Sequence, residues 1–278
     1  MTDVVSTSID ARGVATLTLK RPEKHNALDQ TTVRALHDAL AAVEADPNVR
    51  VVVLTGAGAS FCAGADIAHM RTMLHASEAE NVADARLLAD CLHRLDTLER
   101  PVVARINGNA FGGGVGLVAC ADVAIAVETA CFALTEVRLG IVPATISPYV
   151  IAAIGARAAR RLFLTAERFD AREAQRLGLV HAAVPAPALD AAIAAQVDAL
   201  LKGGPRAIRA AKRLVRRVGT IMEHDTLAAE TAELLARLRA SPEGKEGLSA
   251  FLERRAPGWV DASSPADRAP HATRKGSS

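Results

Sequence analysis

Aromatic side chains are nearly missing from this 278-residue chain: one Trp, one Tyr and six Phe make up 3% of it. So few rings argue against a platform on which unpaired bases could stack. Net charge is only +2 and no lysine-rich tract is present, so the electrostatic footprint of a nucleic-acid binder is missing too. No apolar run reaches the length of a membrane span, and Met1-Thr2-Asp3 leads into a strand pattern rather than a leader peptide. Cys62, Cys91, Cys120 and Cys131 lack C-x-x-C spacing and have apolar neighbours, so buried free thiols in a reducing cytoplasm are expected. The eight histidines show no H-E-x-x-H or paired-ligand spacing, and no metal site is expected. Gly56-Ala57-Gly58 starts like a dinucleotide fingerprint, but Phe61 stands where the third glycine belongs. Neither a G-x-x-x-x-G-K-[ST] loop nor a G-x-S-x-G elbow occurs.

What the chain has is apolar mass: half its residues are hydrophobic, enough for one large core or a core with an appendage. Ala15 to Leu19 alternates and predicts a strand stopped by Arg21-Pro22. Thr31 to Ala45 carries Val33, Leu36, Leu40 and Val43 at helical spacing and ends at Asp46-Pro47-Asn48. Val51 to Leu54, Pro101 to Ile106 and Val123 to Val127 predict buried strands. Helices are expected over Glu78 to Leu98 and Val115 to Ala119. Alternating strand and helix implies a mostly parallel sheet. After Ala186 the pattern is helical, through Ile193 to Leu201, Arg206 to Val215, Leu227 to Leu238 and Lys245 to Arg254. The expected organisation is a core over 1–185, a helical region over 186–257 and a disordered tail over 258–278.

Two glycine-bearing loops carry the chemistry. Ser60-Phe61-Cys62-Ala63-Gly64-Ala65-Asp66-Ile67 and Asn107-Gly108-Asn109-Ala110-Phe111-Gly112-Gly113-Gly114 each follow a strand and lead into a helix. Free backbone N–H groups at two helix starts, with small residues that admit a ligand to the main chain, are suited to one carbonyl oxygen. Such a pair would form an oxyanion hole, acting where negative charge develops. Each loop alone is also consistent with an ordinary tight turn.

Together the loops resemble the enoyl-CoA hydratase/isomerase (crotonase) superfamily. Arg21-Pro22-Glu23-Lys24-His25-Asn26-Ala27-Leu28 is similar to its early loop, and Phe132 to Pro143 to its catalytic-glutamate segment. The resemblance runs in order from about Val14 to Arg255. It implies an α/β fold, a crotonase-like spiral of ββα units with a helical C-terminal region. It further implies an acyl-CoA thioester substrate, an enolate intermediate and no cofactor, coenzyme A being part of the substrate. By resemblance the oxyanion donors are the amides of Ala63 and Gly113, with Gly114 as the alternative to Gly113. Glu136 matches the carboxylate that moves the proton, and is expected at a strand end among apolar neighbours. Lys24, Ala27, Ala65, Asp66, Ile67, Gly116, Phe251 and Arg254 are implied around the substrate and its CoA. Asp66 reads also as the N-cap of the next helix, and His69 and His75, which follow the first glycine loop, as either substrate contacts or exposed helix residues.

One departure bears on the reaction. Two-glutamate hydratases of this family carry a glutamate where this chain has Gly116, in Gly112-Gly113-Gly114-Val115-Gly116. The stretch Ile141 to Val150 resembles a bacterial branch associated with hydration of methylglutaconyl-CoA or isohexenylglutaconyl-CoA, and that branch shares the glycine. Hydration of a branched 2-enoyl-CoA such as 3-methylglutaconyl-CoA is therefore expected. A single-glutamate Δ3,Δ2-enoyl-CoA isomerase and a non-catalytic acyl-CoA-binding protein are the alternatives. Ser147, Tyr149 or a backbone carbonyl is left open as the holder of water. A homo-oligomer, trimer or dimer of trimers, is expected, without nucleic acid or membrane.

Overall fold

The computed structural model describes residues 4–219 and 223–260. The chain opens with strands β1 (Val5–Ile9) and β2 (Val14–Leu19), then helix α1 (Gln30–Ala45). Next come β3 (Val51–Gly56), β4 (Ser60–Cys62), α2 (Ile67–Met73) and α3 (Glu78–Thr97). The pattern repeats as β5 (Val102–Ile106), β6 (Asn109–Phe111) and α4 (Gly113–Ala119). A third turn supplies β7 (Val123–Val127), β8 (Cys131–Ala133) and α5 (Ser147–Thr165), the last broken at Gly155. β9 (Arg168–Asp170), α6 (Ala171–Leu177) and β10 (Ala182–Val184) finish the strand-bearing part. Helices α7 (Leu189–Lys202), α8 (Pro205–Val218), α9 (His224–Ala240) and α10 (Pro242–Glu253) follow.

The strands form two sheets. One has the order β1-β2-β3-β5-β7-β10 and is parallel apart from the β1–β2 pair. The other has the order β4-β6-β8-β9, with only β9 antiparallel. Each of β3, β5 and β7 thus passes to a three-residue strand of the second sheet before entering a helix, which is the ββα spiral that the resemblance implies. The long strands read as continuous apolar runs because both faces are covered: Val51 to Gly56 is buried throughout. With so few rings available, Phe61 and Phe132 take central places, both fully buried, and Phe132 stacks on Phe169 at 5.6 Å. Cys62, Cys91 and Cys120 are buried free thiols, and burial pushes Cys62 and Cys91 up to about 12, so they pack as small apolar groups.

Contacts divide the described residues into two compact units, with the division after Leu200, so all but the last two residues of α7 belong with the sheets. The tail expected to be disordered lies, from residue 261 on, outside the described residues. None of the described helices is long and apolar enough to cross a membrane.

Candidate active site

The first glycine loop is held by a buried guanidinium. Arg21 reaches Asp29 at 2.9 Å and Asp66 at 2.7 Å, and also donates to the Ala27 carbonyl. Each carboxylate caps a helix: Asp29 accepts from the Thr32 amide at the start of α1, and Asp66 from the Ala68 and His69 amides at the start of α2. One cation therefore ties two helix N-termini together. Burial alone would raise the Asp66 pKa, but hydrogen bonds from Lys24, the His69 and Ala68 amides and Arg21 hold it at about 2. With Asp66 fixed, Ala65 pairs with Leu28 as a parallel bridge, the Leu28 amide donating to Gly64 and the Leu28 carbonyl accepting from Asp66. That register turns the Ala65 N–H away from Leu28, and no acceptor among the described residues meets it. The Ala63 amide, expected as the first oxyanion donor, instead donates to the His25 carbonyl at 2.9 Å. Ala65 replaces it as the amide left open in this loop.

The second loop is shaped by what its residues lack. Gly112 has φ +48° and ψ −117°, a conformation suited to glycine, and its N–H donates to the Ala133 carbonyl at 2.9 Å. The helix α4 then starts, so the Gly113 and Gly114 amides have no acceptor within it. Only Gly113 lines the adjoining cavity. Gly114 is sealed against β4, where an added Cβ would lie 2.4 Å from the Cys62 carbonyl oxygen. Sterics thereby separate the two glycines that the motif leaves equivalent.

Between the loops stands Glu136. It begins a short 3-10 helix, Glu136–Leu139, rather than ending a strand as expected, because β8 ends three residues earlier, at Ala133. Its Oε1 lies 3.1 Å from the point where a Gly112 Cβ would sit, so a side chain there would crowd the carboxylate. An added Cβ on Gly64, at φ +85°, would lie 2.8 Å from the Phe111 carbonyl oxygen. Oε2 is buried without a hydrogen-bond partner, and burial raises the Glu136 pKa above the usual glutamate range. A cavity of about 380 Å³ joins Ala65, Gly113 and Glu136, and is otherwise mostly apolar, with Val33, Leu87 and Leu88 among its walls. Among the described residues no Lys or Arg lines it, whereas Asp29, Asp84 and Glu136 do.

Gly116, expected in the site, does not line the cavity. An added Cβ there would lie 2.4 Å from Ile146 Cγ2, so Ile146 fills the volume and itself faces the cavity. Lys24 is exposed and paired to Asp66 at 3.1 Å, Ala27 is buried, and neither lines the cavity. Ile67 is 69% exposed on the outer side of the α2 start. Phe251, 80% exposed, and Arg254 lie at the end of α10 in the second unit. Ser147 donates to the Ala144 carbonyl, and neither it nor Tyr149 lines the cavity. His75 is exposed as expected, but His69 is not: its Nε2 meets Asp84 Oδ1 at 2.9 Å, and Gln30 donates to the same oxygen, all three lining the cavity. Thr135 and Thr145, which the motifs do not single out, also line it.

The arrangement can polarise a carbonyl oxygen with two main-chain donors and exchange a proton through one carboxyl of raised pKa. The profile described as Enoyl-CoA hydratase/isomerase matches residues 10–262. The chain belongs to the enoyl-CoA hydratase/isomerase family. Crotonyl-CoA hydratase of Syntrophomonas wolfei is 35% identical over 250 residues, which cover 89% of this chain and 94% of the relative. The 2,3-dehydroadipyl-CoA hydratase of Escherichia coli K12 is 34% identical over 246 residues, 88% of this chain and 94% of the relative. The crystal structure of an enoyl-CoA hydratase from Shewanella pealeana superposes with a TM-score of 0.89 at 40% identity, covering 92% of this chain and 96% of that one. These relatives are named as hydratases, consistent with a lyase of the enoyl-CoA hydratase/isomerase family.

Proposed function

We propose that this enzyme adds water across the double bond of a 2-enoyl-CoA, with Glu136 as its single proton carrier and the Ala65 and Gly113 amides as an oxyanion hole. Glu136 takes a proton from water as the water oxygen bonds C3, and the displaced electron pair moves to the thioester oxygen as an enolate. The two amides stabilise that oxygen, each by a few kcal/mol where the site excludes water. The protonated Glu136 then gives its proton to C2, which restores the thioester carbonyl and the carboxylate. A raised pKa suits both halves of this cycle. The observation that carries the reading is the Glu136 carboxyl in the cavity that both open amides line, its Oε1 beside Gly112 and its Oε2 buried without a partner.

The relatives' names refer to acyl groups as different as crotonyl and dehydroadipyl, so family membership leaves the acyl group open. A cavity lined by three carboxylates and, among the described residues, no Lys or Arg supports an uncharged acyl chain. The branched substrate suggested by sequence is accordingly proposed in an uncharged form, 3-methylcrotonyl-CoA ahead of 3-methylglutaconyl-CoA. No cofactor enters this cycle. Self-association into a trimer or a dimer of trimers in the cytoplasm is proposed with it, supported by Leu248, Phe251 and Leu252 standing 53%, 80% and 79% exposed on one helix. Light scattering at micromolar concentration tests it, and a monomer contradicts it.

Purified enzyme offered crotonyl-CoA, 3-methylcrotonyl-CoA, 3-methylglutaconyl-CoA and 3-hexenoyl-CoA tests the reaction. Hydration of a 2-enoyl substrate is expected. Conversion of the 3-enoyl to the 2-enoyl thioester with no hydration of any substrate removes the proposal in favour of an isomerase.

A further inference from the structure

Hydration needs a grip on water from a second direction. Glu136 must accept a proton from the water and later deliver it to C2, so it cannot alone fix the angle from which oxygen meets C3. The place where two-glutamate hydratases keep their other carboxylate holds no polar atom here, since Gly116 has no side chain and Ile146 closes over it. The neighbouring polar groups that line the cavity therefore bear the task. His69, Asp84 and Gln30 are bonded to one another across α2 and α3. Ser147 is bonded to Ala144, and Tyr149 stands outside. Among the described residues, the hydroxyl-bearing ones that line the cavity are Thr135 and Thr145.

These two differ in anchorage. Thr135 adjoins Glu136 in sequence and shares its backbone segment, the start of the 3-10 helix. Thr145 lies across the loop, after the tight turn in which the Ala144 amide donates to Val142. Its neighbour Ile146 is buried and wedged against Gly116 of α4, the helix whose first residue is Gly113. Thr145 is thus carried on a part of the wall anchored through Ile146 to α4, the helix that begins at Gly113, and not on the 3-10 helix that carries Glu136. We infer that Thr145 is the second catalytic residue of hydration, its hydroxyl accepting one O–H of the attacking water while Glu136 accepts the other. No net proton moves through Thr145; the proton that reaches C2 travels by Glu136. This inference rests on the hydration proposed above.

Thr145→Val keeps the shape and removes the hydroxyl, while Thr145→Ser keeps the hydroxyl. Loss of one such hydrogen bond predicts a tenfold to hundredfold fall, by order of magnitude, in kcat for hydration by Thr145→Val. Thr145→Ser is expected to stay within about threefold of wild type, on the same ground. Dissociation constants for butyryl-CoA, measured by calorimetry, should not change. Neither should exchange of the butyryl-CoA C2 protons in D2O, which needs Glu136 and the amides but no attacking water. A structural role would move exchange and affinity together with kcat. Hydration by Thr145→Val at the wild-type rate overturns the inference, as does equal loss in exchange and hydration, or a loss confined to Thr135→Val. A wild type that hydrates nothing overturns the underlying reaction as well, so the two failures remain separable.

Discussion

The loop ending at Asp66 is held by charge, with Arg21 between two buried or half-buried carboxylates, whereas the loop ending at Gly114 is held by close approach of backbone to backbone. In the first, side chains set the strand register that leaves Ala65 open. In the second, missing side chains let Gly112 sit against Glu136 and Gly114 against Cys62. Two amides of one site therefore depend on different physics. The first loop should answer to pH and to charge-changing substitutions, and the second to volume alone.

The largest effect should come from breaking the charged loop. Arg21→Ala leaves Asp66 buried with only Lys24 and two amides, and removal of one partner of a buried pair costs about 3–5 kcal/mol. Chemical denaturation should show that loss, and Arg21→Lys should recover only part of it because an ammonium lacks the fork that reaches both carboxylates. An unchanged midpoint for Arg21→Ala would mean that the loop does not rely on the pair.

Next is the volume-sensitive loop. Gly114→Ala places a methyl against the Cys62 carbonyl, and overpacking of this kind costs about 1–3 kcal/mol. Hydration should fall with stability, and neither loss should vary between pH 3 and pH 7. A folded Gly114→Ala enzyme of wild-type stability would show that the two loops are not packed as described.

A smaller effect sharpens the contrast by pH. Asp66 is held at about 2 against an ordinary 3.8, so its contribution is fully present above the ordinary value and lost as pH falls toward 2. Hydrogen exchange at pH 3 should reveal opening around Ala65 before opening around Gly113. The reverse order would contradict the assignment of charge to the first loop.

The smallest effect concerns the group between them. Glu136 is raised above 4.5 by burial, so its ionisation opposes folding: its own contribution to stability is greatest below 4.5 and declines as pH rises through the raised value. Glu136→Gln should therefore melt slightly higher than wild type at neutral pH, and a lower melting temperature would argue that Oε2 has a partner.

The sequence makes one loop more legible than the other, and for a physical reason. The long strands and α1, α3 and α4 follow from apolar runs and helical spacing, and the capping role of Asp66 follows from its place before a helix. The strands β4, β6 and β8 have three residues each, too few for a period of two to be recognised. Which amide of the first loop stays open depends on Leu28 and His25, distant in sequence, so Ala63 and Ala65 are not distinguishable from the motif. Gly113 and Gly114 differ only by what lies behind them, and Gly116 only by Ile146. The presence of Glu136 is plain in the chain, but its 3-10 setting and unpartnered oxygen arise from tertiary packing.

Everything proposed for the reaction passes through that carboxyl. The most direct measurement compares wild type with Glu136→Gln on the best 2-enoyl-CoA, alongside butyryl-CoA affinity for both. Turnover of the variant should fall by about two to four orders of magnitude, the usual scale for losing a general acid–base. Affinity should hold, because the two amides and the apolar walls remain. Hydration by Glu136→Gln within about tenfold of wild type, a loss far below that scale, would contradict Glu136 as the proton carrier.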